Sequence, residues 1–92
     1  MLMVRRTAGK SMMPALKPGT IVIAWTRPRR IKPGDVIIFV HEGQEKIKRV
    51  QHADERGIYV IGDNPRLSTD SRDFGWVNHT AVVGRVWWPR LV

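Results

Sequence analysis

Short apolar segments alternate with turn-forming residues along the whole chain, and this pattern constrains the fold more than any other feature. The segments are rich in β-branched residues and cover residues 20–25, 35–41, 45–51, 58–61 and 80–88, after a leading strand or arm at 1–8. Gly, Pro, Asn and Asp stand between the segments and favour turns. We therefore predict a mainly β fold, built as small coiled antiparallel sheets or a partly closed barrel, in a single domain of residues 1–92.

Two local departures from this strand pattern are expected. Residues 11–16 predict one short helical turn, and Gly84 predicts a bulge in the last strand. All apolar runs are far shorter than the ~20 residues that a membrane-spanning helix requires. We therefore expect no transmembrane segment.

The charge of the chain is strongly positive. Its 92 residues include 16 Lys and Arg against eight Asp and Glu, for a net charge of +8, and no cysteine. The lack of cysteine excludes disulfides, thiolate chemistry and a Cys-based zinc site. The positive charge suits an anionic partner such as nucleic acid, a membrane surface or an acidic substrate. We expect a soluble protein in the cytoplasm, with peripheral attachment to a membrane as the alternative.

Ser11 is the first candidate for chemistry. It follows Gly9 and stands at the start of the turn that Pro14 and Pro18 help to form. A serine in this place can be an exposed nucleophile with backbone N–H groups directed at the group that it attacks. It can equally be a simple cap of the turn, because serine is a favoured N-cap residue. A nucleophilic role requires a base elsewhere in the chain.

Two kinds of base are available to Ser11. His41, His52 and His79 each border a predicted turn, and their spacing singles out none of them for a triad or a metal site. Lys48 lies in the middle of a predicted strand, where burial would lower its pKa and free its amine to accept a proton. The alternative is a lysine on the solvent face of an edge strand, where it prevents edge pairing.

The polar loop at residues 62–75 bears on this choice. It holds two serines, a threonine and several carboxylates, and its length is typical of functional loops. Asp, Asn and Ser bond readily to nearby backbone, so such a loop can be rigid. A rigid loop could hold a hydroxyl beside the amine of Lys48 and orient it.

Four sequence blocks together resemble the type I signal peptidase family, the Ser/Lys peptidases that remove leader sequences. The blocks are GKSMMPAL at residues 9–16, PGDVIIF at 33–39, IKRV at 47–50 and GDNPRLSTDSRDFG at 62–75. They occur in the order of the family and extend over most of the chain. The resemblance implies a mainly β catalytic core that needs neither a metal nor another cofactor.

The resemblance also implies a role for each matching residue. Ser11 would be the nucleophile, Lys48 the general base and then the general acid, and Ser68 would hydrogen-bond the lysine amine. The supporting roles are the Ser11 backbone N–H as oxyanion donor, Met12 lining the pocket, and the pairs Asp63–Arg49 and Asp70–Arg72 holding the last loop against the base strand.

The chain departs from the family pattern at four places. Gly9 replaces the serine that many bacterial members use as a second oxyanion donor, and Ala15 replaces a threonine. The insertion after the base block shrinks to residues 51–57, and no membrane helix precedes Ser11. This bare core is similar to the small proteases that mature nickel superoxide dismutase, whose partner is a leader-bearing precursor. LexA-like self-cleaving repressors share the Ser/Lys chemistry, but they lack the GDN block, and Ala8–Gly9 is too near Ser11 for cleavage in cis.

A small basic binding module is the rival interpretation. Four tryptophans, Trp25, Trp76, Trp87 and Trp88, accompany a basic loop of Arg27, Arg29 and Arg30. Together they could bind nucleic acid by stacking and phosphate contacts, or an anionic membrane surface. As a peptidase, the chain is not expected to use nucleic acid as its partner.

Overall fold

The computed structural model describes residues 1–28 and 30–91. The strands are β1 Leu2–Arg6, β2 Ile21–Thr26, β3 Val36–His41, β4 Gln44–Asp54, β5 Gly57–Ile61 and β6 Val82–Trp88. One helix, α1, covers Ser71–Phe74, and 3₁₀ turns cover Pro65–Leu67 and His79–Ala81. Arg29, part of the expected basic loop, lies outside the described residues. Over the described ranges, no helix has the length and apolar character needed to cross a bilayer.

All six strands form one antiparallel sheet in the order β1-β2-β6-β3-β4-β5. The predicted mainly β fold is confirmed, and of the two expected architectures the sheet stays open rather than closing into a barrel. It is nevertheless strongly coiled. In a flat sheet β1 and β4 would be about 19 Å apart, yet the Nε of Arg5 on β1 lies 2.7 Å from the Oε1 of Glu45 on β4. This curl brings β1 and β4 to face each other across a cleft.

Both faces of the central strand β3 are buried, which explains its continuous apolar sequence. Val36 and Ile38 belong to one apolar cluster, which also contains Met12 and Leu16. Ile37 and Phe39 point to the opposite face and belong to a second cluster, which Phe74 helps to cover. The two clusters hold the nucleophile turn on one side of β3 and the polar loop on the other.

Of the two local predictions, the helical turn is confirmed and the bulged residue is corrected. Residues 11–15 form consecutive turns, and the N–H of Leu16 bonds the carbonyl of Met12 as in a helical turn. Gly84 is not the bulged residue, because it pairs with Ile38 while the register shifts at its neighbour Val83. A Cβ on Gly84 would lie 2.7 Å from the Met3 sulfur, so close packing explains the glycine.

The two edges of the sheet differ in their free hydrogen-bonding groups. On β5, the N–H groups of residues 58, 60 and 62 donate to the Val77 carbonyl, the Ser71 hydroxyl and the Asp70 carboxylate. On β1, the ladder to β2 uses residues 1 and 7, so alternation turns the backbone groups of residues 2, 4 and 6 away from β2. The capped edge is β5, and the edge beside the cleft is β1.

Candidate active site

The centre of the site is a direct contact between Ser11 and Lys48, which are 37 positions apart in the sequence. The Nζ of Lys48 lies 2.7 Å from the Ser11 Oγ. Lys48 sits in the middle of β4 opposite Ile37, with β3 and β5 on either side, and it is 6% exposed. The alternative of a lysine on the solvent face of an edge strand is therefore wrong.

The surroundings of Lys48 favour its neutral form. Burial lowers the pKa of Lys48, because desolvation disfavours the charged amine, and the nearby charge of Lys46 lowers it further. The carboxylate of Asp70 acts in the opposite direction and raises it. The net direction is downward, so the surroundings favour the neutral amine.

The polar loop reaches the nucleophile turn directly. The backbone N–H of Asn64 donates to the Ser11 carbonyl at 2.7 Å, and its side-chain amide donates to the Lys10 carbonyl at 3.0 Å. Gly62 lies between the polar loop and the nucleophile turn. A Cβ at this position would collide with the Ser68 hydroxyl and lie 2.6 Å from the Ser11 carbonyl oxygen. Asn64 thus holds the backbone of Lys10 and Ser11, and Gly62 leaves room for this contact.

Ser68 makes a different contact from the one that the resemblance implies. Its hydroxyl donates to the Asp70 carboxylate at 2.6 Å, and among the described residues it has no hydrogen bond to Lys48. Asp70 is fully buried and also accepts bonds from the Gly62 N–H and the Arg72 guanidinium. Burial by itself would raise the pKa of Asp70, but the bonds from Arg72, Ser68 and Gly62 outweigh it and hold the pKa far below its ordinary range.

The two expected ion pairs form, but they act on different parts of the structure. Arg49 on β4 binds the Asp63 carboxylate with two bonds of 2.8 Å, and so joins the base strand to the loop. Arg72 binds Asp70 at 2.9 Å and the Pro65 carbonyl at 3.0 Å, all within the loop. The Asp70–Arg72 pair therefore braces the loop internally instead of tying it to β4.

A cleft of about 250 Å³ opens in front of the dyad. One wall is β1 with the residues that follow it, and the other is the first half of β4. Its lining includes Gly9, Ser11, Met12 and Lys48, with Arg5 and Glu45 at one end. Met12 is also buried in the core, so the core itself forms the floor beside the nucleophile.

Ser11 lines this cleft, and its backbone N–H is the candidate oxyanion donor. Across residues 1–28 and 30–91, the N–H of Ser11 has no acceptor, which leaves it available to an oxyanion. Gly9 has a φ of 74° and open space around the position of a Cβ. The positive φ explains the glycine, since side chains rarely adopt that backbone conformation. Gly9 supplies no side-chain donor.

The histidines lie away from Ser11. His41 stacks on Phe74 at 4.1 Å, His52 lies beside Tyr59, and His79 contacts the Asp54 carbonyl. None of them lines the cleft. In the part of the chain that the structure describes, no group of three or more His, Asp or Glu side chains is placed to hold a metal ion.

With this geometry in place, the family can be assigned. A model of the peptidase S24-like family matches residues 2–87, nearly the whole chain. The chain belongs to the peptidase S24-like family. The S24-like assignment supports a serine-peptidase-like enzyme with the mainly β fold seen here. A comparison with curated proteins found no match.

Two residues of this S24-like site had no role in the sequence interpretation. Gly62 and Asn64 belong to the GDN run, which the sequence interpretation used only as part of a block that resembles the family. The structure shows that Asn64 holds the nucleophile turn and that Gly62 makes room for it. The one sequence signal was a glycine and an amide at the start of a mostly polar block.

Proposed function

We propose that this protein is a serine endopeptidase with a Ser/Lys dyad, in which Ser11 is the nucleophile and Lys48 the general base. The observation that carries the proposal is the 2.7 Å contact between the Lys48 amine and the Ser11 hydroxyl, made by a lysine that is almost fully buried. A lysine buried without a carboxylate partner of its own costs stability. A catalytic role accounts for a buried lysine at this position.

The dyad performs acyl transfer in two steps. Neutral Lys48 takes the proton of the Ser11 hydroxyl while the oxygen attacks a peptide carbonyl. The Ser11 N–H stabilises the resulting oxyanion, a contribution of about 3 kcal/mol for one such donor. Lys48, now charged, gives its proton to the leaving amine, and the acyl-enzyme remains. Lys48 then deprotonates a water molecule, which hydrolyses the ester and restores Ser11.

The substrate is an extended peptide that lies along β1. The open edge of β1 offers backbone groups at residues 2, 4 and 6, and the cleft separates this edge from β4. A peptide that adds to such an edge obtains main-chain hydrogen bonds without regard to its sequence. Small side chains would fit best next to the scissile bond, because the cleft floor is filled by Met12 and Leu16.

The expected substrate is a precursor protein with an N-terminal leader. The four blocks that resemble type I signal peptidases support this class, and the S24-like match agrees with it at the coarser level of serine peptidases. The nickel superoxide dismutase precursor is the specific candidate within the class. Its support is the STDSR run at residues 68–72.

The experiment compares the wild type with Ser11→Ala, Lys48→Ala and Lys17→Ala on two leader-bearing precursors, one of them the nickel superoxide dismutase precursor. Lys17 is an exposed lysine outside the cleft and serves as the matched control. We expect both dyad variants to lose cleavage by several orders of magnitude, while Lys17→Ala cleaves like the wild type. Cleavage at the wild-type rate by either dyad variant would overturn the assignment.

A further inference from the structure

Lys46 is a second lysine beside the dyad, and the acyl-transfer steps leave it without a contact to the substrate. It lies on β4 two residues before Lys48, about 7 Å away along the strand. It is partly buried and lines the same cleft as Ser11 and Lys48. Its charge lowers the pKa of Lys48, so its ammonium group acts close to the base. A ligand that binds Lys46 in the cleft therefore lies near the reacting atoms.

The cleft has an excess of positive charge. Its charged lining residues are Arg5, Arg6, Glu45, Lys46 and Lys48. The single carboxylate of this lining, Glu45, accepts two hydrogen bonds of 2.7 and 3.0 Å from Arg5. Arg6 donates to the Gly19 carbonyl at 3.0 Å. Among the described residues, Lys46 has neither an ion-pair partner nor a side-chain hydrogen bond, so its ammonium group is available to a ligand.

Alternation along β4 directs Lys46 and the apolar part of the cleft to opposite faces. In the ladder that the structure describes, β5 pairs with β4 only from Arg49 onward, so residues 44–48 border the cleft directly. Lys46 points to one face of this segment, and Ile47 points to the other, where it packs against the apolar cluster of Met12. An extended peptide in the cleft therefore presents every second side chain to the apolar floor and the others to the face of Lys46.

We propose that Lys46 selects the substrate by binding the carboxylate of an Asp or Glu side chain in the peptide. The proposal rests on the proposed function, because it assigns one subsite of the peptide cleft. Since Ser11 contacts Lys48, the reacting carbonyl lies level with Lys48, and the selected side chain lies two residues away along the peptide. An ammonium group and a carboxylate form a charge-assisted hydrogen bond there. A Lys or Arg at the same position is repelled, so the subsite also excludes basic sequences.

A carboxylate of the protein itself fits Lys46 less well than one from the substrate. Lys46 also borders a second hollow of about 300 Å³, and Glu42 and Asp73 line that hollow with it. Glu42 lies 3.6 Å from the His41 ring, and Asp73 accepts the N–H of Asp70 at 3.1 Å in the cap of α1. Both carboxylates thus have other partners, and neither is within ion-pair distance of Lys46 in the described structure.

Protection of a strand edge is the structural alternative for Lys46, since lysines on open edges discourage pairing with other chains. That role requires only a positive charge on the edge. It produces no preference for an acidic residue at one position of a peptide over its neighbours. Selection by Lys46 requires such a preference, because only alternate side chains reach its face.

The first measurement is cleavage of a leader-bearing precursor that carries Asp, Asn or Lys, one at a time, at each of three positions on either side of the cut. The proteins are the wild type, Lys46→Gln, Lys46→Glu and the control Lys17→Glu, which makes the same charge change at an exposed lysine outside the cleft. We expect Asp to raise kcat/KM about fivefold over Asn at one position, two residues from the attacked carbonyl. Lys46→Gln should abolish this preference, Lys46→Glu should favour Lys instead, and Lys17→Glu should behave like the wild type.

The second measurement is independent of catalysis. Blocked nine-residue peptides of alanine and serine with a central Asp, Asn or Lys are bound to Ser11→Ala protein and followed by calorimetry. We expect the Asp peptide to bind about fivefold more tightly than the Asn peptide. Adding Lys46→Glu should reverse the preference toward the Lys peptide, and adding Lys17→Glu should leave it unchanged.

The two measurements separate this proposal from the proposed function. Cleavage with equal efficiency for Asp and Asn at every position would overturn the role of Lys46 and leave the peptidase assignment intact. A preference for Asp that depends on Lys46 in binding, without cleavage of any precursor, would overturn the proposed function and support the subsite. A preference for Asp that is equal at all positions, or that Lys17→Glu also removes, would show selection by overall charge and overturn the role of Lys46.

Discussion

Lys48 shows how a single residue takes its chemical character from its surroundings. A lysine in water is charged and cannot act as a base at neutral pH. Within β4 it is desolvated, faces Lys46 and contacts the Ser11 hydroxyl, and its pKa falls. Asp70 partly counteracts this effect, so the polar loop influences the pKa of Lys48 as well as holding the backbone of Ser11.

The pH dependence of cleavage follows from the lowered pKa of Lys48. The base acts only when neutral, so kcat/KM should rise with pH through the lowered pKa and level off below the ordinary lysine value. Removing the like charge with Lys46→Met should move this rise to higher pH. A profile that follows a histidine, and disappears when His41, His52 or His79 is replaced, would contradict the dyad.

Gly62 is a second residue on which the site depends. A side chain at this position would occupy the space of Ser68 and of the Ser11 carbonyl. In Gly62→Ala, the new methyl group would collide with Ser68 and the Ser11 carbonyl. We expect about 1–3 kcal/mol lower stability and a fall in kcat of about 100-fold from displacement of Ser11.

The matched control for Gly62→Ala is Gly57→Ala. Its methyl group would lie 2.9 Å from the Val77 carbonyl, far from the dyad in the fold. Chemical denaturation and single-turnover kinetics of both variants separate the two effects. If Gly57→Ala loses as much kcat as Gly62→Ala, the loss reflects general destabilisation and not the site.

At the scale of elements, the polar loop both caps the edge of β5 and supports the dyad. Its capping groups, Ser71 and Asp70, bond the N–H groups of residues 60 and 62. The same Asp70 fixes Ser68 and Arg72. One buried carboxylate therefore links an edge strand, the loop and the neighbourhood of Lys48.

Asp70→Asn should unfold the protein more easily at neutral pH, by about 3 kcal/mol, because an amide cannot accept all these bonds and Arg72 loses its partner. The pKa of Asp70 is lowered in the fold, so its contribution is present above the ordinary aspartate pKa and is lost as pH falls toward the folded value. The difference between variant and wild type should therefore shrink in acid. Asp54→Asn, at an exposed ion pair, is the control and should change stability little at any pH.

The ion pair between Arg5 and Glu45 joins β1 to β4 across one end of the cleft. Arg5 also donates to the Val4 carbonyl, one of the free groups on the open edge. A peptide that pairs with β1 from residue 8 toward residue 2 would pass residues 8 and 6 and would then reach this bridge. We therefore expect the bridge to limit how far a bound peptide extends along β1.

Arg5→Gln and Glu45→Gln should each raise kcat/KM for long peptides relative to short ones, with little change for the short ones. The double variant should resemble either single variant, because both remove the same bridge. A peptide-length series assayed on all four proteins measures this. Equal effects on short and long peptides would show that the pair does not limit the cleft.

At the scale of the whole molecule, the site reduces the stability of the fold. A buried amine with a lowered pKa is less favourable in the folded than in the unfolded chain below the ordinary lysine pKa. The native protein should therefore become more stable as pH rises from the lowered value of Lys48 to the ordinary one.

Lys48→Met should accordingly be inactive but more stable at neutral pH, with a Tm higher by a few degrees. The variant should also lack the rise of stability with pH that Lys48 causes in the wild type. Scanning calorimetry over a pH series tests both effects. A variant less stable than the wild type at neutral pH would mean that Lys48 stabilises the fold, which is the opposite of what its lowered pKa predicts.

The sequence by itself determined the strand pattern and the candidate dyad. Residues 35–41 and 58–61 predicted β3 and β5 closely because turn residues and β-branched runs act locally. The matching blocks singled out Ser11 and Lys48. Alternation along a strand could not say whether Lys48 would be buried, because that depends on which strands lie on either side of β4.

Only the tertiary structure decided which base contacts Ser11, that Ser68 bonds Asp70, and which edge of the sheet is open. These features join residues that are far apart in the chain, as Ser11 and Lys48 are, and they arise from the strand order and the coiling of the sheet. Local sequence chemistry specifies strands and turns, whereas the packing of distant segments creates the site.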